Sequence, residues 1–105
     1  MEYSYEVCAL GYDSFDRATD TEIHLGEFST PEAAITFAEQ FETLQSVLDC
    51  AKEQYEPVYG FDPERGDKLA VRAEKVVEIE AEDELDPEEG YTECVELLYE
   101  RVLEA

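Results

Sequence analysis

The chain has 105 residues, of which 29 are Asp or Glu and 7 are Lys or Arg, so its formal net charge is −22. This charge excludes direct binding to nucleic acid and to anionic membranes, because both are bound through cationic side chains. The 44 % hydrophobic content and a periodic apolar pattern predict a folded chain, and the length predicts one domain over residues 1–105.

The first part of the chain predicts an antiparallel hairpin. Residues 2–11 alternate between apolar and polar side chains, with Tyr3 and Val7 on the apolar face. Residues 12–20 are rich in turn formers and predict a loop. A second short strand is predicted at about 21–28.

Residues 31–54 have the clearest pattern and predict a single amphipathic helix. Thr30 is the expected N-cap, and Pro31 occupies the favoured first helical position. Apolar side chains then recur every three to four residues, which is the period of a helix with one buried face. At ~1.5 Å per residue this helix would be about 36 Å long, and Pro57 would end it.

The rest of the chain predicts a loop at 55–67, a third strand at about 69–81 and an ambiguous C-terminus. The sequence Asp-Pro-Glu-Glu at 86–89 is a strong helix start, yet residues 95–103 also alternate as a strand would. We favour the helix. The predicted fold is therefore α+β, a small antiparallel sheet in the order ββαβα or ββαββ packed against one long amphipathic helix.

The cysteines and the histidine do not indicate an enzyme. Cys8, Cys50 and Cys94 are odd in number and lack a C-x-x-C spacing, which predicts reduced thiols in a cytoplasmic protein. His24, which is the only histidine, falls on the strand face opposite Ile23, so we expect an exposed surface residue. No glycine motif for phosphate binding is present, and we expect neither an enzyme nor a cofactor.

A group of acids near the first loop is the only candidate for calcium binding in the first half of the chain. Asp13, Asp16, Asp20 and Glu22 offer oxygen ligands, but their spacing lacks the central glycine of a calcium-binding loop. The acids at 62–67 fail the same test. We therefore predict solvated turns and no metal site.

The strongest charge bias lies between Lys75 and Arg101, where the sequence has eleven acids and no base. On the predicted third strand, Glu78, Glu80 and Glu82 alternate on one side at about 6.6 Å, since a strand rises ~3.3 Å per residue. This spacing is similar to the separation of successive phosphates along a nucleic-acid strand. The predicted partner-binding residues are Glu78, Glu80, Glu82, Asp83, Glu84, Asp86, Glu88 and Glu89.

In size and charge the chain resembles small acidic phage and mobile-element proteins that inhibit restriction or CRISPR nucleases by mimicking nucleic acid. The resemblance implies a basic partner, most specifically a nucleic-acid-binding enzyme. Charge alone predicts an acidic protein-interaction module. The alternatives are a small regulatory or assembly domain and a salt-adapted protein whose charge serves solubility only. A homodimer is compatible with the sequence.

Overall fold

The structure is a computed structural model that describes residues 3–79 and 91–104. Its four strands form one antiparallel sheet in the order β2-β1-β3-β4. The elements in chain order are β1 (Tyr3–Tyr12), β2 (Ala18–Phe28), α1 (Pro31–Glu39), α2 (Leu44–Glu53), a short 3₁₀ helix (Pro63–Arg65), β3 (Lys68–Ile79) and β4 (Tyr91–Leu103).

The core lies between one face of the sheet and the two helices. On β1, Val7 and Ala9 point into it and are fully buried, and their register partners on β3 are Ala73 and Val71. This is the alternation from which the first and third strands were predicted. Small helical side chains such as Ala38 pack against these residues, so the helices cover this face of the sheet closely.

The prediction of one long amphipathic helix is wrong. α1 ends at Glu39 and α2 begins at Leu44. Thr43 caps α2, because its hydroxyl accepts a hydrogen bond from the Ser46 N–H at 3.1 Å while the Ser46 hydroxyl accepts one from the Thr43 N–H at 3.3 Å. Within the described ranges, no helix is long and apolar enough to cross a membrane.

The spacing of apolar residues did not reveal the break between the two helices, because the same spacing continues across the break. Phe41 lies between the two helices, is only 4 % exposed and meets the ring of Phe37 edge-on at 5.2 Å between ring centroids. Leu44 follows three residues later and is also buried. A helical period in the sequence therefore persists where the backbone has turned into a new helix.

The preferred C-terminal helix is also wrong, because residues 91–103 form β4. Since two short helices replace the single long one, the order is ββααββ, and neither ββαβα nor ββαββ is correct. β4 pairs with β3 from Leu69 opposite Leu103 to Ile79 opposite Tyr91. The register shifts twice, at Leu98 and at Val95, as it does at a β-bulge. These two extra residues interrupt the strand alternation, which explains why the alternation in the sequence did not decide between strand and helix.

Removal of the Thr43 cap tests the division into two helices. We expect Thr43→Ala to lower the free energy of unfolding by about 0.5–2 kcal/mol, because the first turn of α2 loses a hydrogen-bond acceptor. Urea denaturation measures the change. Thr36→Ala in the middle of α1 is the matched control and should be neutral or slightly stabilising, since Thr36 is exposed and alanine favours helix. Equal effects of the two variants would contradict the break at Thr43.

Candidate functional site

The sheet face opposite the helices carries charged side chains at most register positions. We call this surface the charged face. Its members follow from the register of the core residues, since neighbours along a strand point to opposite faces. They include Glu22, His24 and Glu27 on β2, Glu6, Cys8 and Leu10 on β1, Ala70, Arg72 and Glu74 on β3, and Leu97, Glu100 and Val102 on β4.

Three carboxylates form a row across the charged face. Glu6 lies directly opposite Glu27 on β2 and directly opposite Glu74 on β3. Side chains in such positions have Cβ atoms about 4.5–5.5 Å apart, and like charges there are destabilising. Burial, and then the charges of Glu27, Glu74 and Glu22, raise the pKa of Glu6, whereas His24 acts in the opposite direction.

A β-bulge on β2 brings His24 into contact range of this row. Val7 pairs with Gly26 but Cys8 pairs with His24, so Leu25 is an extra residue. In a regular strand, residues three apart point to opposite faces, whereas the bulge places His24 and Glu27 on the same one. The ligand atoms of Glu6, His24 and Glu27 all lie within 4.8 Å of one another.

The position of His24 corrects one expectation from the sequence. It lies on the face opposite Ile23, as predicted, but it is half-buried and not an exposed surface residue. The sequence contained one indication of this, because an isolated glycine inside a strand pattern, here Gly26, is typical of a bulge.

Arg72 occupies the middle of the charged face and is neutralised there. Its Nε atom lies 2.5 Å from a carboxylate oxygen of Glu100, its Nη1 atom lies 3.8 Å from Glu74, and its Nη2 donates to the Tyr12 hydroxyl at 3.2 Å. Burial works against its charge, but the interactions with Glu100, Tyr12 and Glu74 together outweigh it and raise the pKa of Arg72. The positive charge of Arg72 is therefore balanced by carboxylates of the charged face itself.

The cysteines of this part of the sheet are poor nucleophiles. Burial, followed by the charges of Glu74, Glu22 and Glu6, raises the pKa of the Cys8 thiol to about 12. Burial and Glu74 also raise the pKa of Cys94. Both thiols are therefore protonated at neutral pH, whereas nucleophilic attack requires the thiolate.

The acids of the first loop organise a turn. The Asp13 carboxylate accepts hydrogen bonds from the N–H groups of Phe15 and Arg17, each at 2.9 Å, and pairs with the Arg17 side chain at 3.0 Å. These hydrogen bonds lower the pKa of Asp13. Asp16 pairs with Lys68 at 2.7 Å. Both carboxylates thus serve the turn and its ion pairs.

A second ion pair lies beside this turn, in the loop before β3. Asp67 is 1 % exposed, accepts the Asp62 N–H at 3.0 Å and pairs with Arg65 at 2.6 Å. The hydrogen bond from Arg65 lowers the pKa of Asp67. Lys68 also pairs with Glu104 at 3.2 Å. Arg17, Arg65 and Lys68 are therefore all engaged at this end of the sheet, which we call the turn end.

The opposite end of the sheet has an excess of acids, and we call it the acidic end. Its described acidic side chains are Glu6, Glu27, Glu74, Glu93 and Glu96. The base within this set of strand positions is Lys75, whose ammonium lies 4.4 Å above the ring of Tyr3. The two ends therefore differ in ion pairing: four described acids at the turn end, Asp13, Asp16, Asp67 and Glu104, are paired with a base, whereas at the acidic end one base lies among five described acids.

The partner-binding residues predicted from the sequence belong to the chain at the acidic end. Glu78 lies in β3 opposite Thr92 on β4. The other predicted residues, Glu80, Glu82, Asp83, Glu84, Asp86, Glu88 and Glu89, lie outside the described residues. Ile79 pairs with Tyr91, so these seven acids connect two strands whose ends are adjacent.

No protein-family model matches the sequence, no curated protein matches it, and no solved structure matches the fold.

Substitution of Glu6 tests whether repulsion within the carboxylate row lowers the stability of the folded protein. The pKa of Glu6 is raised from 4.5 in the folded protein, so its ionisation favours the unfolded chain. We therefore expect Glu6→Gln to increase the free energy of unfolding at pH 7, and we expect the gain to vanish as the pH falls below 4.5. Urea denaturation at several pH values measures this. Glu42→Gln, at an exposed position between the helices, controls for the change in net charge, and an equal gain there would contradict the account.

Proposed function

We propose that this chain is an acidic interaction module that binds a basic protein, most specifically by occupying the nucleic-acid-binding surface of an enzyme. The observation that supports this most is the contrast in ion pairing between the two ends of the sheet. Arg17, Arg65 and Lys68 are held in ion pairs at the turn end, while the acidic end combines the carboxylate row with further acids on β4. A cationic surface would meet Glu6, Glu27, Glu93 and Glu96 there, none of which forms an ion pair with Lys or Arg among the described residues.

The sheet also gives these carboxylates a fixed arrangement. Glu27, Glu6 and Glu74 are held in register by three paired strands, so their relative positions do not depend on a partner. A preorganised set of charges loses little entropy on binding, and a strong field accelerates the encounter with an oppositely charged surface. Both effects favour fast binding that weakens as salt is added.

The repulsion within the row adds a further reason for a cationic partner. Glu6 and Glu27 face each other, and burial raises the pKa of Glu6. A folded protein retains such a local cost when the site serves a purpose outside the fold. A guanidinium or ammonium group from a partner would relieve it.

The predicted stretch from Glu78 to Glu89 extends this proposal. Apart from Glu78, which lies in β3, its acids stand between β3 and β4 in the sequence, and we include them in the proposed partner-binding surface. They more than double the number of carboxylates available to such a partner.

Affinity capture with a salt gradient tests the proposed function. The immobilised chain is exposed at moderate salt to a lysate of the organism that encodes it, and bound proteins are eluted with increasing salt and identified by mass spectrometry. We expect a nuclease, restriction subunit or other nucleic-acid-binding protein to elute sharply as salt rises, since exposed charges are screened beyond a Debye length of ~8–10 Å. Purified partner should then reproduce that salt dependence.

The other outcomes distinguish the alternatives. An eluate of ribosomal proteins and other abundant basic species would contradict a dedicated partner. A partner that stays bound in high salt would indicate an apolar contact, as expected of a regulatory or assembly domain. Stability that rises steeply into molar salt, with no specific partner, would indicate a salt-adapted protein.

A further inference from the structure

We propose that Glu6, His24 and Glu27 form a binding site for a divalent transition-metal ion. Their ligand atoms come from two adjacent strands and all lie within 4.8 Å of one another. Around a tetrahedral zinc with bonds of about 2.0–2.1 Å, ligand atoms are roughly 3.3 Å apart, so closure needs movements of about 1.5 Å at most. Rotation of two glutamate side chains provides movements of this size.

The donor set indicates the class of metal. One imidazole nitrogen and two carboxylates suit zinc and its neighbours in the first transition row, whereas calcium and magnesium prefer oxygen ligands alone. Two ionised carboxylates also neutralise a divalent ion. Three protein ligands leave a fourth position for water, as in zinc sites that remain open to solvent.

The surroundings of the three residues supply an independent reason for a cation. In a regular antiparallel pair, opposed carboxylates repel each other, and Glu6 has a second carboxylate, Glu74, on its other side. Among residues 3–79 and 91–104, neither Glu6 nor Glu27 forms an ion pair with Lys or Arg. Their oxygens are therefore free to accept a metal ion.

The burial of the three ligands and the bulge on β2 determine where the site lies and how a metal ion reaches it. His24 and Glu6 are half-buried, which restricts their movement, while Glu27 is exposed and leaves a path from solvent. The bulge at Leu25 is what brings His24 and Glu27 to one face. This site does not depend on the proposed partner, since its ligands all come from this chain.

Zinc titration of the full chain tests the proposal. We expect one zinc ion to bind with a dissociation constant that is clearly separated from weaker binding by other carboxylates. His24 is the only histidine, so its imidazole gives a single set of NMR resonances, and these should shift in proportion to that first ion. Magnesium should leave them in place, because an imidazole is a poor ligand for it.

Two variants test the ligands, and a third serves as the control. His24→Gln and Glu27→Gln should each weaken the first zinc site at least tenfold, since even outer-shell substitutions cost about 10–100-fold. Glu39→Gln, at an exposed position on α1, removes the same charge as Glu27→Gln and should leave the affinity within about twofold. Equal affinity in all variants, or zinc binding without movement of the His24 resonances, would overturn the proposal. Circular dichroism of each variant confirms that the fold is retained.

Discussion

Ile23→Ala is expected to lower the free energy of unfolding by about 2–5 kcal/mol, which is the usual cost of truncating a fully buried aliphatic side chain. Ile23 is 0 % exposed and lies on β2 opposite Ala9, in the core between the sheet and the helices. Domains are stable by only about 5–15 kcal/mol, so this single change removes a large fraction of the total.

Urea is the appropriate denaturant for this measurement, because guanidinium is a salt and would screen the repulsion that a net charge of −22 creates. Tyr59→Ala is the control, since the Tyr59 side chain is 73 % exposed and its truncation should change the stability by less than about 0.5 kcal/mol. A loss below about 1 kcal/mol in Ile23→Ala would contradict the packing of β2 against the helices.

Charge reversal at the acidic end is expected to reduce the affinity for the basic partner by at least about 100-fold. The triple variant Glu80→Lys, Glu82→Lys, Glu84→Lys places three cations in the predicted binding stretch. Like charges across an interface cost several kcal/mol, and 1.4 kcal/mol corresponds to a factor of ten in affinity. The fold should be retained or stabilised, because the substitutions reduce the overall repulsion.

The matched control reverses the same number of charges on the helical layer. Glu39, Glu42 and Glu53 are exposed on or between α1 and α2, the helices that cover the sheet face opposite the charged face. Their replacement by lysine changes the net charge equally and should reduce the affinity much less. Equal losses in the two triple variants would mean that net charge and not location governs binding. Unchanged affinity in the first variant would contradict this placement of the site.

The strand at the start of the chain and the strand from residue 69 onward could be predicted because most of their core-facing residues alternate with polar or exposed ones. Val7 and Ala9 on β1 are buried, while Glu6 before them and Cys8 between them are only half-buried. Such a pattern depends only on which face of a single strand is covered, and local sequence is sufficient to indicate it.

The division of the helical region could not be predicted from periodicity. Phe37, Phe41 and Leu44 continue a helical spacing across the break, and all of them pack into one core. The Thr43–Ser46 capping box marks the start of α2, but such pairs also occur within helices. With the break, two short helices, and not one long helix, cover one face of the four-stranded sheet, which is twisted as sheets are.

Beta-bulges explain why neither the C-terminal strand nor the cluster of Glu6, His24 and Glu27 could be predicted from the sequence. Extra residues at Leu98 and Val95 on β4, and at Leu25 on β2, change the face to which the following side chains point. A sequence reading that assumes regular alternation therefore places His24 and Glu27 on opposite faces. Pairing between distant strands decides where a bulge lies, and this information is not local.

The acidic character of the protein was evident from composition, but its distribution was not. Which bases are consumed in ion pairs depends on contacts between distant residues, such as Lys68 with Asp16 and with Glu104. The carboxylate row likewise arises from the pairing of three strands, two of which are far apart in the sequence.

Competition between this chain and nucleic acid for the captured partner tests the central claim most directly. The dissociation constant of a labelled nucleic acid for the partner is measured at increasing concentrations of the chain. If the acidic end occupies the nucleic-acid surface, the apparent constant should rise in proportion to the chain concentration, with no ternary complex. A ternary complex in which the nucleic acid binds with undiminished affinity would contradict the account.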